Sequence, residues 1–396
     1  MGPLALMAHE AGMEVFGTDR AEGAVSPELA KAGIDFETGV QDGQFLQKKI
    51  DETGVDWFVY TSALPDDHPE LVLAKKAGIR ASKRDELISY LVSQMGLKMV
   101  AIAGTHGKTT TTSMVIWACQ QMNIPVSYLV GTTLPFAESG KYDSSSEFLV
   151  YEADEYDRNF LHFNPWLGVI TTVSYDHPDI YKTEKEYKQA FQKFASQCED
   201  VIYGEDYRGD FTLAGEARRI DAALAAEAVT RMGEEAGIRV EKDKLVQALN
   251  DFPGAGRRFE RVCEGVYTDY GHHPEEIAAT VKMAKEEAQR LNLKGVVVVY
   301  EPHQNTRQYK VKDGYREAFL GADKVYWLPT YLTRENPDLK VLTPEDFIAG
   351  LANKEVAEPA EMDEKTAENL KNWQKQGYLV LLMTAGPADA WLRKIF

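Results

Sequence analysis

The chain is poor in cysteine, with three in 396 residues: Cys119, Cys198 and Cys263, none close to another. A disulfide framework or a cysteine-built metal centre is therefore excluded as an organising principle. It also lacks an apolar run long enough to span a bilayer, and no basic stretch leads into an apolar one at the start, so a cytoplasmic protein is expected. Positive charge is scarce. The 44 Lys and Arg stand against 62 Asp and Glu, a formal net charge of -18. Nonspecific nucleic-acid binding is disfavoured at that charge. Any anionic substrate must then find local cations, which gives Lys108, Arg257, Arg258 and Arg307 more weight than their residue types alone. There is no internal repeat and no low-complexity tract, and the charge-rich stretch 354–368 reads as a solvated surface. The length predicts two or three domains.

Strand-like apolar runs alternate with helical segments throughout, which predicts α/β units with parallel sheets. The most informative run is Met99–Ala103, which breaks into Gly104-Thr105-His106-Gly107-Lys108-Thr109-Thr110. It reads as a phosphate-binding loop. A buried strand delivers the loop, glycines let backbone N–H groups turn inward, and a helix N-terminus faces the anion. Lys108 would reach the outer phosphates of a nucleotide and the Thr109 hydroxyl would hold Mg2+. The strict GxxxxGK[ST] spacing is not met, because Ile102 stands where the first glycine belongs. An ordinary strand-to-helix turn is the competing reading of this loop taken alone. Two further runs, Phe148–Tyr151 and Leu167–Val173, end in Glu152 and in Asp176-His177. Loops at the carboxyl ends of strands share one crevice in an open α/β sheet. That would bring Thr109, Glu152 and His177 around the phosphates as Mg2+ ligands.

These blocks resemble the signatures of the Mur ligases: Gly104–Thr112, Glu152-Ala-Asp-Glu155 and Asp176-His177 for a central domain. Pro253–Glu260, Asp269-Tyr-Gly-His-His-Pro274 and Glu301–Arg307 are similar to C-terminal blocks of the branch that adds alanine. The resemblance runs in order along the whole chain and includes five of the eight histidines. It implies a three-domain α/β architecture: a Rossmann-like N-terminal domain over 1–97 with its first strand missing, a shortened P-loop ATPase-like central domain over 98–251, and a Rossmann-like C-terminal domain over 252–396. The implied reaction is ATP-dependent joining of L-alanine to UDP-N-acetylmuramate through an acyl phosphate, with ATP and Mg2+. A murein-tripeptide recycling ligase and a degenerate nucleotide-binding regulator are the alternatives.

The resemblance also implies roles. Ser62, after the strand Asp56–Tyr60, would contact the uridine nucleotide; Arg258, Asp269, His272 and His303 would contact substrates; Lys108, His273 and Arg307 would be catalytic. Some relatives use a carbamylated lysine, and Lys188 and Lys193 lie near in sequence without an assigned role. Two departures stand out. The chain opens at the family's first helix, just past its Gly-rich turn, so an upstream start is expected. The block Gly215–Ala223 carries Ala217-Arg218 and Asp221 where the family has His-Asn and Asn, so weak adenine discrimination is expected, with GTP competing. Asp251–Gly256 reads as a hinge, with open and closed forms.

Overall fold

A computed structural model describes all residues except Pro178, Asp179, Arg334 and Pro337. The chain divides into two compact units, one of residues 1–211 and 220–252, the other of 212–219 and 253–396. No helix among the described residues is long and apolar enough to cross a membrane.

The first unit begins with α1 (Gly2–Glu10), β1 (Phe16–Asp19), α2 (Ser26–Lys31), β2 (Asp35–Thr38), α3 (Gln44–Glu52), β3 (Trp57–Tyr60), α4 (Pro69–Lys76), β4 (Arg80–Lys83) and α5 (Arg84–Met95). Its strands form two separate parallel pairs, β1 with β2 and β3 with β4. There follow β5 (Lys98–Ala103), α6 (Lys108–Gln121), β6 (Ser127–Leu129), β7 (Gly140–Lys141), β8 (Phe148–Glu152), a 3-10 segment Tyr156–His162, β9 (Leu167–Ile170), α7 (Glu184–Gln197), β10 (Asp200–Tyr203), α8 (Glu216–Glu235), whose residues 216–219 belong to the second unit, and α9 (Lys242–Asn250).

These later strands build one sheet in the order β10-β9-β5-β8-β6-β7, parallel apart from the β6–β7 hairpin. Val100–Ala103 of β5 is fully buried, as a central parallel strand covered on both faces must be. Helix α7 starts where the Thr183 side chain accepts the Glu186 N–H. It buries Tyr187, Ala190, Phe191 and Phe194, the spacing of one helical face. Phe160 stacks on Phe194 with ring centres 5.0 Å apart, tying the 3-10 segment to that face.

The strand expected over Leu167–Val173 stops at Ile170. Thr171 instead donates its N–H to the Ala103 carbonyl at 2.9 Å and its hydroxyl to the His106 carbonyl, turning the chain under the loop.

The second unit holds β11 (Glu260–Cys263), β12 (Val266–Asp269), α10 (Pro274–Arg290), β13 (Val296–Glu301), α11 (Asn305–Val311), β14 (Lys324–Trp327), α12 (Pro344–Ile348), β15 (Ala357–Pro359), α13 (Glu364–Lys375), β16 (Leu379–Thr384) and α14 (Ala388–Ile395). The sheet order is β11-β12-β16-β13-β14-β15, with only β11–β12 antiparallel. Trp327 anchors one side of this sheet among Tyr300, Tyr315, Phe319 and Phe347. The Tyr300 and Tyr315 hydroxyls meet at 2.7 Å, and Tyr315 donates to Gln308 Oε1 at 2.7 Å. A buried polar chain thus connects the core to α11.

Candidate active site

In the first unit β5 lies between β9 and β8, so the loops after these three strands open on one edge. The loop after β5 depends on two glycines. Gly104 has φ +143°, and a Cβ there would stand 2.0 Å from Thr171 Oγ1; Gly107 has φ +88°, and its Cβ would meet Asp221 Oδ1 at 2.5 Å. Thr105 is pinned, its hydroxyl at 2.8 Å from both the Ser174 carbonyl and the Tyr187 hydroxyl. His106 contributes its main chain, with its N–H donated to Thr172 Oγ1 at 3.0 Å, while the residue itself is exposed. Helix α6 begins at Lys108 after the left-handed Gly107, so Lys108, Thr109 and Thr110 form its first turn, where amide N–H groups lack helical partners.

Glu152, at the end of β8, accepts the Thr109 hydroxyl at 2.8 Å and the Gly131 N–H at 3.0 Å. Lys108 Nζ donates to the Gly104 carbonyl at 2.5 Å, to the Thr105 carbonyl at 3.3 Å and to Glu155 Oε1 at 3.1 Å. His177 Nε2 lies 3.3 Å from that same Glu155 oxygen, and its backbone is left-handed at φ 53°. The structure therefore brings Thr109 to Glu152, and His177 to Glu155 and Lys108. Sequence reasoning did not assign Glu155 a role. It sits in a run of carboxylates with no local signal that it alone would be buried. Among the described residues no group of three His, Cys, Asp or Glu could hold a metal. The Thr109 and Glu152 oxygens are nevertheless a hard donor pair, which fits Mg2+ completed by phosphate and water. Ser62 is exposed in the turn after β3, and Lys188 pairs with Glu184 on the outer face of α7.

The second unit gathers another cluster at the carboxyl ends of β12, β13 and β14. The Arg257 and Arg258 guanidiniums lie 4.8 and 5.0 Å from the Tyr270 ring centre. His272 meets the Tyr270 ring edge-on at 5.5 Å and the His303 ring at 6.1 Å, and His303 stacks on Tyr331 at 5.7 Å. Arg307 Nη1 lies 3.4 Å from His303 Nδ1. The first turn of α11, which carries Arg307, is held by Glu335, whose carboxylate accepts the N–H groups of Asn305 at 2.9 Å and Thr306 at 3.0 Å.

The neighbouring histidines diverge. His273 is exposed at the N-cap of α10, where Glu276 accepts its N–H at 3.1 Å. His272 is partly buried, with Nδ1 3.1 Å from the Tyr270 carbonyl. In the neutral ring a proton on Nδ1 satisfies that carbonyl and leaves the Nε2 lone pair available. Burial pushes the His272 pKa down, helped by Arg307 and Arg258 and opposed by Glu276 and the Tyr270 carbonyl. Burial also lowers His303, with Arg307 and His272 adding to it.

Asp269 lies beneath the cluster. Its carboxylate accepts the Phe259 and Gly271 N–H groups, each at 2.7 Å, and burial pushes its pKa up against those bonds. It braces the two turns that carry Arg258 and His272. Arg218 lies over the Phe259 ring at 5.4 Å.

A family profile described as the Mur ligase middle domain matches residues 102–230, and one described as Mur ligase family, catalytic domain, matches residues 1–95. The chain is 30% identical to the UDP-N-acetylmuramate--L-alanine ligase of Caldicellulosiruptor bescii, covering 85% of this chain and 82% of the relative. It is 28% identical to the ligase of that name from Caldicellulosiruptor saccharolyticus, covering 100% and 95%. In fold it is similar to the UDP-N-acetylmuramate-alanine ligase of Thermotoga maritima, with a TM-score of 0.75 at 23% identity over 100% and 95% of the two chains. A murein peptide ligase from Psychrobacter arcticus shares the fold at a TM-score of 0.57 and 19% identity, again over 100% and 95%.

Proposed function

The chain belongs to the Mur ligase family, and we propose from that premise that it is an ATP-dependent ligase, acting in the cytoplasm, which joins L-alanine to UDP-N-acetylmuramate. The observation that carries this reading is the loop 104–110 set beside Glu152, with a lysine and a helix start facing one edge of a parallel sheet. Phosphoryl transfer to a carboxylate asks the protein mainly to hold reactants and neutralise developing charge. Lys108 and the first N–H groups of α6 supply that to the ATP phosphates. Thr109 and Glu152 would hold Mg2+, which supplies further positive charge at the phosphates. The amine must attack the acyl phosphate unprotonated. In the second unit His272, its Nδ1 turned to the Tyr270 carbonyl, would take the ammonium proton at Nε2, and Arg307 would hold a carboxylate. His273, as a helix cap, is assigned to orienting His272 through the shared Glu276. Residues 1–97, with Ser62, are assigned to the uridine nucleotide.

The test is phosphate release with UDP-N-acetylmuramate and ATP, offering L-alanine or the murein tripeptide as the amine. Release with L-alanine is expected. Release with the tripeptide alone would replace this reading by peptide recycling, and release with neither would leave a nucleotide-binding protein without ligase activity.

Two further results are expected. Glu152→Gln should raise the Mg2+ concentration for half-maximal rate by at least roughly tenfold, read from a Mg2+ titration at saturating ATP; an unchanged titration would make Glu152 structural. The acid limb of kcat/KM for the amine should lie below the ordinary histidine range, because the base form of His272 persists until pH falls through its lowered pKa. The Glu276 charge raises that pKa, so Glu276→Gln should move the limb to still lower pH. A shift to higher pH would show that His272 is not the titrating base.

A further inference from the structure

Glu155 stands where a substrate anion is expected to act. Its residue is 1% exposed. Lys108 Nζ lies 2.8 Å from Oε2 and donates to Oε1 at 3.1 Å, and His177 Nε2 faces Oε1 at 3.3 Å. With the Gly104 and Thr105 carbonyls, Glu155 makes three acceptors for the three N–H bonds of the ammonium. The backbone at 155 is fixed as well, since its carbonyl accepts the Tyr181 hydroxyl at 2.6 Å and the Arg158 N–H at 3.1 Å. The Tyr156 ring meets His177 edge-on at 5.2 Å. This is no solvated surface pair. A carboxylate withdrawn this far from water is tolerated because the Lys108 ammonium pairs with it and the His177 ring faces it.

We propose that Glu155 is a positioning residue whose carboxylate occupies the phosphate's place on Lys108, so that a nucleotide binds by exchange. The incoming phosphate oxygen takes over the N–H bond that Glu155 held, and Glu155 stays with His177. The inference rests on reading residues 104–110 as a phosphate loop. It gives Glu155 opposite effects on two quantities. By competing for one donor it weakens nucleotide binding. By keeping Lys108 folded over its loop and His177 at the same edge, it raises turnover once the nucleotide is seated.

The experiment is equilibrium binding of ADP, in buffer free of divalent cations so that no turnover occurs, to the full-length wild type, Glu155→Gln, Lys108→Ala and the double variant. Glu155→Gln is expected to bind ADP about tenfold more tightly than wild type, the scale of one charge-assisted hydrogen bond relieved of competition. In the Lys108→Ala background the same change should do nothing. Its kcat should fall while KM for ATP falls or holds, a split that general loosening of the fold would not give. Affinity equal to or below wild type in Glu155→Gln, or a gain that persists without Lys108, overturns the proposal. If Lys108→Ala alone binds ADP as well as wild type, the phosphate-loop reading fails instead. Glu155→Asp, which keeps the charge but withdraws it by one methylene, serves where the Gln variant melts too low to assay: its ADP affinity should lie above wild type, and an affinity at or below wild type counts against the proposal.

Discussion

Replacing Lys108 by Ala is expected to lower ATP turnover by about two orders of magnitude or more, the scale of losing one preorganised electrostatic donor. The same substitution is not silent for stability. Removing the ammonium leaves the Glu155 carboxylate buried without its lysine partner and facing His177 Nε2, and stranding one partner of a buried pair costs about 3 kcal/mol. The melting temperature should therefore drop with the activity. Adding Glu155→Gln to Lys108→Ala should recover most of the melting temperature and none of the turnover, which separates charge on phosphate from charge in the fold. Near-normal turnover in the single variant would remove Lys108 from the chemistry.

Gly104→Ala should be as damaging by a different route. The added Cβ falls 2.0 Å from Thr171 Oγ1 and 3.0 Å from both the Thr172 N and O, on a backbone at φ +143°. Such a position is open to glycine and strained for any side chain. The crowding atoms are a fully tethered threonine and main chain, so the loop itself has to move. A loss of about a hundredfold or more in ATP turnover is expected, since small misplacements of positioning groups cost that much. Nucleotide affinity should fall alongside it, which Lys108→Ala/Glu155→Gln with its intact loop should show less. Wild-type ATP affinity in Gly104→Ala would mean the loop does not cradle phosphate.

The sequence made some of this visible and hid the rest for physical reasons. Met99–Ala103 reads as a central strand because a strand covered on both faces is an unbroken apolar run, and α7 is legible over Glu184–Gln197 because its apolar residues keep a helical period. The β6–β7 hairpin and β15 carry two or three residues each, too few for any period to show. Side-chain roles depend on contacts far along the chain. Glu155 becomes buried only when Lys108, Tyr181 and His177 arrive around it. Asp269 and His272 are three residues apart in one motif. Yet one lies under the turns and the other on them, a difference fixed by the N–H groups of Phe259 and Gly271 rather than by residue type. His272 and His273 diverge likewise, because His273 is the N-cap of the helix that starts at Pro274 while His272 lies in the turn before it.

The second unit takes residues 212–219 from the middle of the chain as well as everything from 253 onward. Those eight residues give it the Gly215 N–H on Glu286 at 2.8 Å, the Arg219 guanidinium on the same carboxylate at 3.1 Å and the Arg218 cover over Phe259. A gene cut at the obvious linker near Pro253 would therefore yield a carboxyl-terminal fragment missing part of its own wall, with Glu286 stripped of both donors. Exchanging carboxyl-terminal halves between relatives by a single crossover meets the same obstacle. A chimera that respects this topology has two seams, with 212–219 travelling alongside the downstream half, and recombination that ignores the inner seam pairs the downstream half with a foreign strip that includes the first turn of helix α8.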